Sequence, residues 1–449
     1  MQDWCVPNMS VPRWVRQRLL AFGVALWVGI AACAAAEAAK PNIIFILADD
    51  WGLDRTGCYG ADTFKTPQID ALAASGVRFQ MCYSTPLCGP TRAQFITGRY
   101  PFRTGARGND SAASVDPKRE LGLPAMLRQA GYATALAGKW RQMTGDLQAW
   151  GFEEWITDPN AAGWFWVNSY IKNGKEVTLD QKVYYPDVCQ QFALDFIRGH
   201  RDGPFFLYYP SHFTHAPIGR TPVSKTGVQA DRKQVFFDNH AYLDREVGEL
   251  VAELDRLGIR ERTLVIFAGD NGSARRHNQD AGLGGKKILG GKGELLEGGT
   301  RVPLIASWRG KIAAGTICSN LVDFSDFYPT FAELAGMTLP NKGAIDGRSF
   351  ASLLLGKASQ PREWVFAQLR SDWFVRSAGW KLNAQGELYE MSGAPFAEKL
   401  VPAAADTKAS AAARQQLAAV LTRLQPTPEP GEQPGQKKGA TGKRSDNDE

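Results

Sequence analysis

The stretch Asn42-Ile43-Ile44-Phe45-Ile46-Leu47-Ala48-Asp49-Asp50 is an apolar run that ends in two carboxylates. Its length and its β-branched content predict a strand buried on both faces, as in a parallel sheet. Three further apolar runs follow at the spacing of βαβ units, at residues 133–137, 204–209 and 264–268. Together these runs predict a set of buried, largely parallel strands.

Segments with helical periodicity separate and follow these runs. The alternation predicts an α/β fold with a large mixed, mostly parallel sheet sandwiched by helices. A chain of 449 residues is long enough for such a domain and a smaller one. The predicted helices cover residues 70–74, 123–130, 188–198, 238–257 and 326–335.

The pattern changes after about residue 362. Short strands are predicted at residues 364–369, 373–377, 380–383 and 387–391, before a helix at 408–424. They indicate a small C-terminal antiparallel α+β subdomain.

The predicted domain organisation has four parts. The residues after 424 are rich in Pro, Gly and Gln and contain no aromatic side chain, so they are expected to be disordered. The parts are a signal peptide at 1–38, a catalytic α/β domain at 39–355, the C-terminal subdomain at 356–424 and a tail at 425–449.

The first 38 residues have the features of an export signal. Three arginines between residues 13 and 18 precede the apolar run 19–32, and residues 34–38 offer an Ala-x-Ala cleavage site. The run is shorter than the roughly 20 apolar residues of a membrane-spanning helix. We therefore expect a periplasmic or secreted protein. Ile30-Ala31-Ala32-Cys33 also resembles a lipobox, and only lipidation of Cys33 would anchor the chain to a membrane.

Composition and charge narrow the class of protein. With 44% hydrophobic and 22% charged residues, the chain has the composition of a soluble globular protein, either an enzyme or a binding protein. The net charge of +6 is modest for this length. The sequence has no stripe of Lys and Arg, so it does not predict a nucleic-acid partner. Five of the seven cysteines follow the predicted signal, and their spacing does not give a disulfide pairing.

Polar residues follow two of the predicted strands. Asp49-Asp50 follows the first strand, and Gly269-Asp270-Asn271-Gly272 follows the strand at 264–268. Either motif alone is explained by turn chemistry. The carboxyl ends of parallel strands meet at one edge of a sheet, however, where three carboxylates and an amide oxygen suit a hard divalent cation. Their shared position therefore favours a metal site.

The run Cys88-Gly89-Pro90-Thr91-Arg92 predicts the start of a helix. Pro90 suits an early helical position, and Gly98 suits the C-terminal end. Arg92 then lies on the same face as Cys88, near backbone N–H groups that favour an anion. A cysteine in this place could be a structural thiol or a nucleophile.

This run and the residues after it, to Pro101, resemble the Cys-x-Pro-x-Arg signature of the type I sulfatases, in which the cysteine is oxidised to formylglycine. Further motifs of that family follow in the same order, and the resemblance extends over roughly residues 40–400. It implies a fold of the alkaline phosphatase superfamily and the hydrolysis of sulfate esters. The other matching motifs are Asp49-Asp50, Gly138-Lys139-Trp140, His212-Phe213-Thr214-His215-Ala216-Pro217, Asp270-Asn271-Gly272, Gly291-Lys292-Gly293, Glu297-Gly298-Gly299-Thr300-Arg301-Val302-Pro303 and Glu387-Leu388-Tyr389-Glu390-Met391.

The resemblance also implies the roles of individual residues. One calcium ion would be bound by Asp49, Asp50, Asp270, Asn271 and the oxygen of the modified residue Cys88. Arg92 would orient the hydroxyl of the formylglycine. Lys139 and Lys292 would hold sulfate oxygens whose charge grows in the transition state. His215 would be the general acid, since an unperturbed histidine pKa of about 6.5 suits proton transfer.

One position departs from the family pattern. After Gly-Lys-Trp the family commonly has a histidine that helps to release sulfate, whereas this chain has Arg141. Arginine cannot act as a base. Either another group takes the proton, or Arg141 binds substrate, or turnover is impaired.

The expected partners are a sulfated small molecule or carbohydrate and the enzyme that makes formylglycine. A formylglycine-dependent phosphodiester or phosphonate ester hydrolase would share the cysteine motif and stays open as an alternative. A non-catalytic protein that binds sulfated glycans is a second alternative, motivated by Arg141.

Overall fold

The apolar run that precedes Asp49-Asp50 forms strand β1 (Asn42–Ala48) of the computed structural model. The strand is the fifth of ten in a single sheet among the described residues. The structure describes residues 40–112, 115–140, 143–158, 165–224, 231–274, 281–339, 345–358 and 360–435.

The large sheet is mixed and mostly parallel, as predicted. Its order is β10-β2-β9-β8-β1-β7-β3-β4-β5-β6, and the four strands predicted from apolar runs, β8, β1, β7 and β3, are parallel neighbours at its centre. The β2–β9, β8–β9, β4–β5 and β5–β6 pairs are antiparallel. The remaining strands are β2 (Val77–Tyr83), β3 (Ala133–Ala137), β4 (Glu154–Thr157), β5 (Trp166–Lys172), β6 (Lys175–Tyr184), β7 (Phe205–Pro210), β8 (Thr263–Gly269), β9 (Arg301–Ser307) and β10 (Thr316–Asp323).

Helices cover both faces of this sheet because its central strands are apolar on both sides. In β1 the odd-numbered side chains pack into one hydrophobic cluster and the even-numbered side chains into another, so helices are needed on either face. The helices before the C-terminal sheet are α1 (Pro67–Ala74), α2 (Cys88–Thr97), α3 (Pro101–Thr104), α4 (Asn109–Ala112), α5 (Leu123–Gln129), α6 (Tyr185–Gly199), α7 (Arg232–Arg256), α8 (Glu297–Thr300), α9 (Phe327–Leu334) and α10 (Ala351–Leu354).

A second, antiparallel sheet follows, as predicted. Helix α11 (Lys408–Leu424) packs its apolar side chains, among them Leu417 and Val420, onto this sheet. Both sheets belong to one compact unit that begins at Pro41. The strands, in spatial order, are β11 (Val365–Leu369), β12 (Asp372–Arg376), β13 (Trp380–Asn383), β14 (Leu388–Glu390) and β15 (Lys399–Val401).

The first part of the predicted tail differs from expectation. Residues 425–435 make specific hydrogen bonds; for example, the Ser371 hydroxyl donates to Glu432 Oε2 at 2.6 Å. The composition of the segment does not predict these contacts, because only a few of its polar groups make the hydrogen bonds that hold it. Residues 436–449 and the predicted signal at 1–38 lie outside the described residues.

Two further features, the state of the cysteines and the apolarity of the helices, concern the predicted export of the protein. The five cysteines of the described residues are free thiols. None of the described helices has the length and apolarity needed to cross a membrane.

Candidate active site

The carboxyl ends of the four central strands bring the predicted polar residues together. Pairing of Ala48 with Gly269 places Asp49 next to Asp270. The Asp49 amide donates to Phe213 O at 2.7 Å, which ties the end of β1 to the loop that carries His215. The Lys139 amide donates to Pro210 O at 2.7 Å and ties the end of β3 to the same loop.

Asp49, Asp50 and Asp270 form a buried cluster. One carboxylate oxygen of each lies within 4.8 Å of the others. The Asp50 amide donates to Asp270 Oδ1 at 3.0 Å, and Asn271 Nδ2 donates to Asp50 Oδ1 at 2.9 Å. Asp50 adopts a left-handed backbone with φ 55°, which aspartate tolerates better than most residues and which turns its side chain into the cluster.

Two oxygens of this cluster are suited to bind a cation. Within the described residues, Asp49 Oδ1 and Asn271 Oδ1 are buried and accept no hydrogen bond. Buried polar atoms are nearly always satisfied in native proteins, so such orphaned acceptors require an explanation. Three carboxylates and one amide, two of them with an unsatisfied oxygen, are the donor set of a hard divalent cation.

Three cations surround the three carboxylates. Lys139 Nζ donates to Asp49 Oδ2 and lies 3.6 Å from Cys88 Sγ. Lys292 Nζ contacts both oxygens of Asp50 at 2.9 and 3.0 Å.

Arg92, the third cation, binds Asp270. Its Nη2 and Nε donate to Asp270 Oδ2 at 2.8 and 3.2 Å, while Nη1 is buried without a hydrogen-bond acceptor among the described residues. Three acids facing three bases leave the cluster near neutrality. A divalent cation would therefore turn it into a buried positive site for an anion.

The pKa values of the carboxyls reflect this crowding. Burial raises the pKa of Asp49, but Lys139, His215 and Arg92 outweigh it and the pKa is lowered. The pKa of Asp50 is likewise lowered, by Lys292 acting against burial. Burial and the charge of Asp49 raise the pKa of Asp270 to about 7, although Arg92 opposes them. Without a metal, the Asp270 carboxyl is therefore partly protonated near neutral pH.

Cys88 is the first residue of α2, as predicted. Gly98 adopts φ 67° at the end of this helix, a conformation that favours glycine. The Cys88 side chain is 1% exposed, and burial raises the pKa of its thiol against the opposing effect of Lys139. Its sulfur lies within 4.8 Å of a ring nitrogen of His215 and an oxygen of Asp49.

His215 is held by a backbone contact. Its Nδ1 lies 2.5 Å from Ala216 O, so Nδ1–H donates to this carbonyl and Nε2 carries the ring lone pair that can bind a proton. Burial, followed by Lys139, lowers the pKa of His215 to about 3. The unperturbed pKa expected from the sequence does not hold, because the ring is buried beside cations.

The other motif histidine has a structural partner. His212 Nε2 lies 3.4 Å from Asp158 Oδ1, and both side chains are buried. This contact indicates a structural role for His212.

Sequence reasoning missed Asn109. Asn109 Oδ1 accepts from the Gly89 amide at 2.9 Å and from Cys88 Sγ at 3.6 Å. No motif surrounds Asn109. Its role is visible only in the structure, where the start of α4 lies against the start of α2. Arg141 lies outside the described residues.

The chain is similar to known sulfatases. A family model described as Sulfatase matches residues 41–337. N-acetylgalactosamine-6-sulfatase of Rattus norvegicus is 33% identical over 377 residues, which are 76% of this chain and 70% of that protein. Arylsulfatase A of Homo sapiens is 35% identical over 367 residues, or 74% of this chain and 71% of that protein.

Solved structures agree in fold. A crystal structure of Ps i-CgsB has a TM-score of 0.74 and 27% identity, covering 86% of this chain and 92% of its own. The same protein in complex with k-i-k-neocarrahexaose has a TM-score of 0.73, 26% identity and the same coverage.

Proposed function

The chain belongs to the type I sulfatase family and is a sulfuric ester hydrolase, and we propose that it acts on a sulfated carbohydrate with a formylglycine made from Cys88 and one calcium ion. The observation that carries the proposal is the buried cluster of Asp49, Asp50, Asp270 and Asn271 next to Cys88. Its two orphaned oxygens support a cation, and its three basic neighbours support an anionic substrate.

Calcium would be held by the four oxygen-bearing side chains together with residue 88. A bound calcium ion would neutralise sulfate oxygens and favour the deprotonated form of the nucleophile. Asp49 and Asp50 now pair with Lys139 and Lys292. Once these carboxylates bind a cation, the ammonium groups of Lys139 and Lys292 can bind sulfate oxygens instead.

Residue 88 is surrounded by groups suited to sulfate transfer. Oxidation of the Cys88 side chain to formylglycine by a separate maturation enzyme, with loss of its sulfur, would provide an aldehyde whose hydrate is an oxygen nucleophile suited to attack on sulfur. Lys139 Nζ, 3.6 Å from Cys88 Sγ, places a positive charge beside the reacting atoms. The buried Nη1 of Arg92 can donate to the hydroxyl of residue 88 or to a sulfate oxygen.

His215 is the proposed proton donor. As the bond between sulfur and the leaving oxygen breaks, that oxygen needs a proton, and His215 Nε2 is placed to deliver it. The pKa of about 3 belongs to the metal-free and substrate-free site. A bound sulfate anion would raise the pKa of His215 by favouring its charged form.

The His215 side chain can also act as the base in sulfate release, a role that Arg141 cannot fill. Once it has given up its proton, neutral His215 lies within 4.8 Å of Cys88 Sγ and can accept a proton during sulfate release. The other described histidines have partners elsewhere: His200 with Glu154, His212 with Asp158 and His240 with Arg55. We therefore assign the base role to His215 rather than to residue 141.

A carbohydrate substrate is supported by the names of the relatives. One is an N-acetylgalactosamine-6-sulfatase, and one solved relative is bound to k-i-k-neocarrahexaose. The predicted signal at residues 1–38 would place the enzyme in the periplasm or outside the cell, where such polymers occur, with Cys33 lipidated if the lipobox is used.

Parallel rate measurements on an aryl sulfate and an aryl phosphodiester test the proposal. We expect a clear preference for the sulfate and loss of activity in the Cys88→Ala variant. A preference for the phosphodiester would refute the sulfate ester assignment. Full activity of Cys88→Ala would refute the role of residue 88.

A further inference from the structure

We propose that Asn109 is a positioning residue for residue 88 and that the segment 425–435 holds Asn109 in place. The inference rests on the proposed function, because it assigns these groups to the reactive side chain of that site. Neither the family motifs nor the sequence pattern singles them out. A chain of hydrogen bonds connects Cys88 to the C-terminal segment.

The first link joins Asn109 to residue 88. The Gly89 amide donates to Asn109 Oδ1 at 2.9 Å, and an amide N–H can be accepted only by the carbonyl oxygen of the side chain. The orientation of the Asn109 amide is therefore fixed. The same Oδ1 lies 3.6 Å from Cys88 Sγ and accepts its S–H. A hydroxyl at residue 88 could donate to Asn109 Oδ1 in the same way.

Asn109 and Lys139 act on residue 88 together. Lys139 Nζ donates to Cys88 Sγ, whereas Asn109 Oδ1 accepts from it. One donor and one acceptor define the rotamer of a side chain better than either alone. Residue 88 is thereby oriented relative to the carboxylate cluster before substrate binds.

The second link joins the Asn109 loop to the C-terminal sheet. The Arg370 amide donates to Arg107 O at 2.7 Å, and Arg370 Nη1 lies 3.4 Å from Asp110 Oδ2. Arg370 sits in the turn between β11 and β12 with φ 53°. Residues on both sides of Asn109 are thus tied to one turn of the second sheet.

The third link joins Arg107 and the C-terminal sheet to the segment 425–435. Arg107 Nη2 and Nε donate to Thr427 Oγ1 at 2.7 Å and Thr427 O at 3.1 Å. Gln368 Nε2 also donates to Thr427 O, at 2.9 Å. Glu429 Oε1 lies 3.7 Å from Arg370 Nη1, so the segment contacts both arginines that hold the loop.

The segment itself is anchored beyond these contacts. The Glu429 amide donates to Ser371 Oγ at 3.0 Å, and the Gly435 amide donates to Asp372 Oδ1 at 2.8 Å. Removal of the segment would leave Arg107 without its Thr427 bonds. The loop would then be held mainly through Arg370, and Asn109 would move more freely.

The contact with residue 88 can be tested on protein made without maturation, in which residue 88 stays cysteine. The infrared S–H stretching band of Cys88 is identified as the band absent from the Cys88→Ala variant. In Asn109→Ala this band should shift to higher wavenumber, because the thiol loses its acceptor. Asn383→Ala is the matched control, since Asn383 Oδ1 also accepts from a backbone amide, at 2.9 Å, but in the β13–β14 turn. A Cys88 band unmoved by Asn109→Ala would overturn the proposal.

Matured protein gives the functional readout. We expect Asn109→Ala to lower kcat for an aryl sulfate by about tenfold or more per aldehyde-bearing chain, with KM changed much less. Asn383→Ala should retain the wild-type kcat. If Asn109→Ala raised KM and left kcat unchanged, Asn109 would be a substrate-binding residue and the proposal would be wrong.

Two truncations test the role of the segment. A chain ending at Gly435 retains the segment, and a chain ending at Gln425 loses all of it except its first residue. We expect the longer chain to behave as wild type and the shorter chain to shift the Cys88 S–H band and lower kcat by about threefold or more. An unshifted band in a folded shorter chain would refute the bracing role. The thiol readout needs neither formylglycine nor sulfatase activity, so failure of the proposed function would be seen separately.

Discussion

Replacement of Lys139 by methionine should affect stability differently with and without calcium. Lys139 Nζ is buried and pairs with Asp49, whose side chain is fully buried. Methionine retains much of the volume and removes the charge, which leaves Asp49 without its nearest cation. Breaking a buried ion pair from one side costs about 3–5 kcal/mol. In the metal-free protein we therefore expect a clear loss of stability.

Calcium should cancel most of this loss, because the ion would compensate Asp49 in place of Lys139. Thermal unfolding of wild type and Lys139→Met in a chelator and in excess calcium measures the difference. Lys381→Met is the matched control, since Lys381 is buried, pairs with Glu398 and lies in the second sheet. Its destabilisation should be the same in both conditions.

Activity provides the second readout for Lys139. Removal of one donor to the developing charge of the transition state typically costs about 100- to 1000-fold in kcat. We expect a loss of this size in Lys139→Met with calcium bound, and little change in Lys381→Met. The reasoning would be refuted by a stability loss in Lys139→Met that calcium leaves unchanged, or by near wild-type turnover.

Three further predictions concern the metal and the titrating groups. Chelation should abolish turnover, and calcium at 100 times its Kd should stabilise the fold by about 2.7 kcal/mol; a melting temperature indifferent to calcium would contradict the site. The folded pKa of Asp270 is about 7, above the unfolded value of 3.8, so its carboxyl takes up protons on folding and contributes stability that is lost as pH rises from about 4 through 7, whereas the lowered pKa of His215 acts in the opposite direction. The difference between the melting temperatures of wild type and Asp270→Asn in chelator should isolate the Asp270 contribution and fall toward higher pH. His215→Gln should lower kcat by about 100-fold or more for an alkyl sulfate and much less for a nitrophenyl sulfate, whose leaving group needs no acid; equal losses would exclude His215 as the acid.

The centre of the fold was predictable because its signal is local. A strand buried on both faces must be apolar along its length, so β1, β3, β7 and β8 are visible as apolar runs. The edge strand β6 and its neighbour β5 face solvent on much of their length, with Trp166 40% exposed, and lack that signal. The other missed strands of the large sheet, β2, β4, β9 and β10, carry more mixed patterns.

The site was predictable where motifs follow strand ends. Asp49, Asp270 and Lys139 meet because parallel strands end at one edge of the sheet. The pKa of His215 could not be predicted, because it depends on burial and on Lys139, which lies 76 positions earlier in the chain. Asn109 was missed for a similar reason: its partner is 20 to 21 residues away and no periodicity links them.

The central claim is that residue 88 becomes the nucleophile of a sulfate ester hydrolase. The most direct measurement is mass spectrometry of the peptide containing residue 88, after expression with a competent formylglycine-generating system, paired with turnover of an aryl sulfate by the same sample. We predict the mass of the aldehyde or its hydrate, with turnover in proportion to the modified fraction. An unmodified thiol in a sample that hydrolyses the ester at full rate would contradict the account.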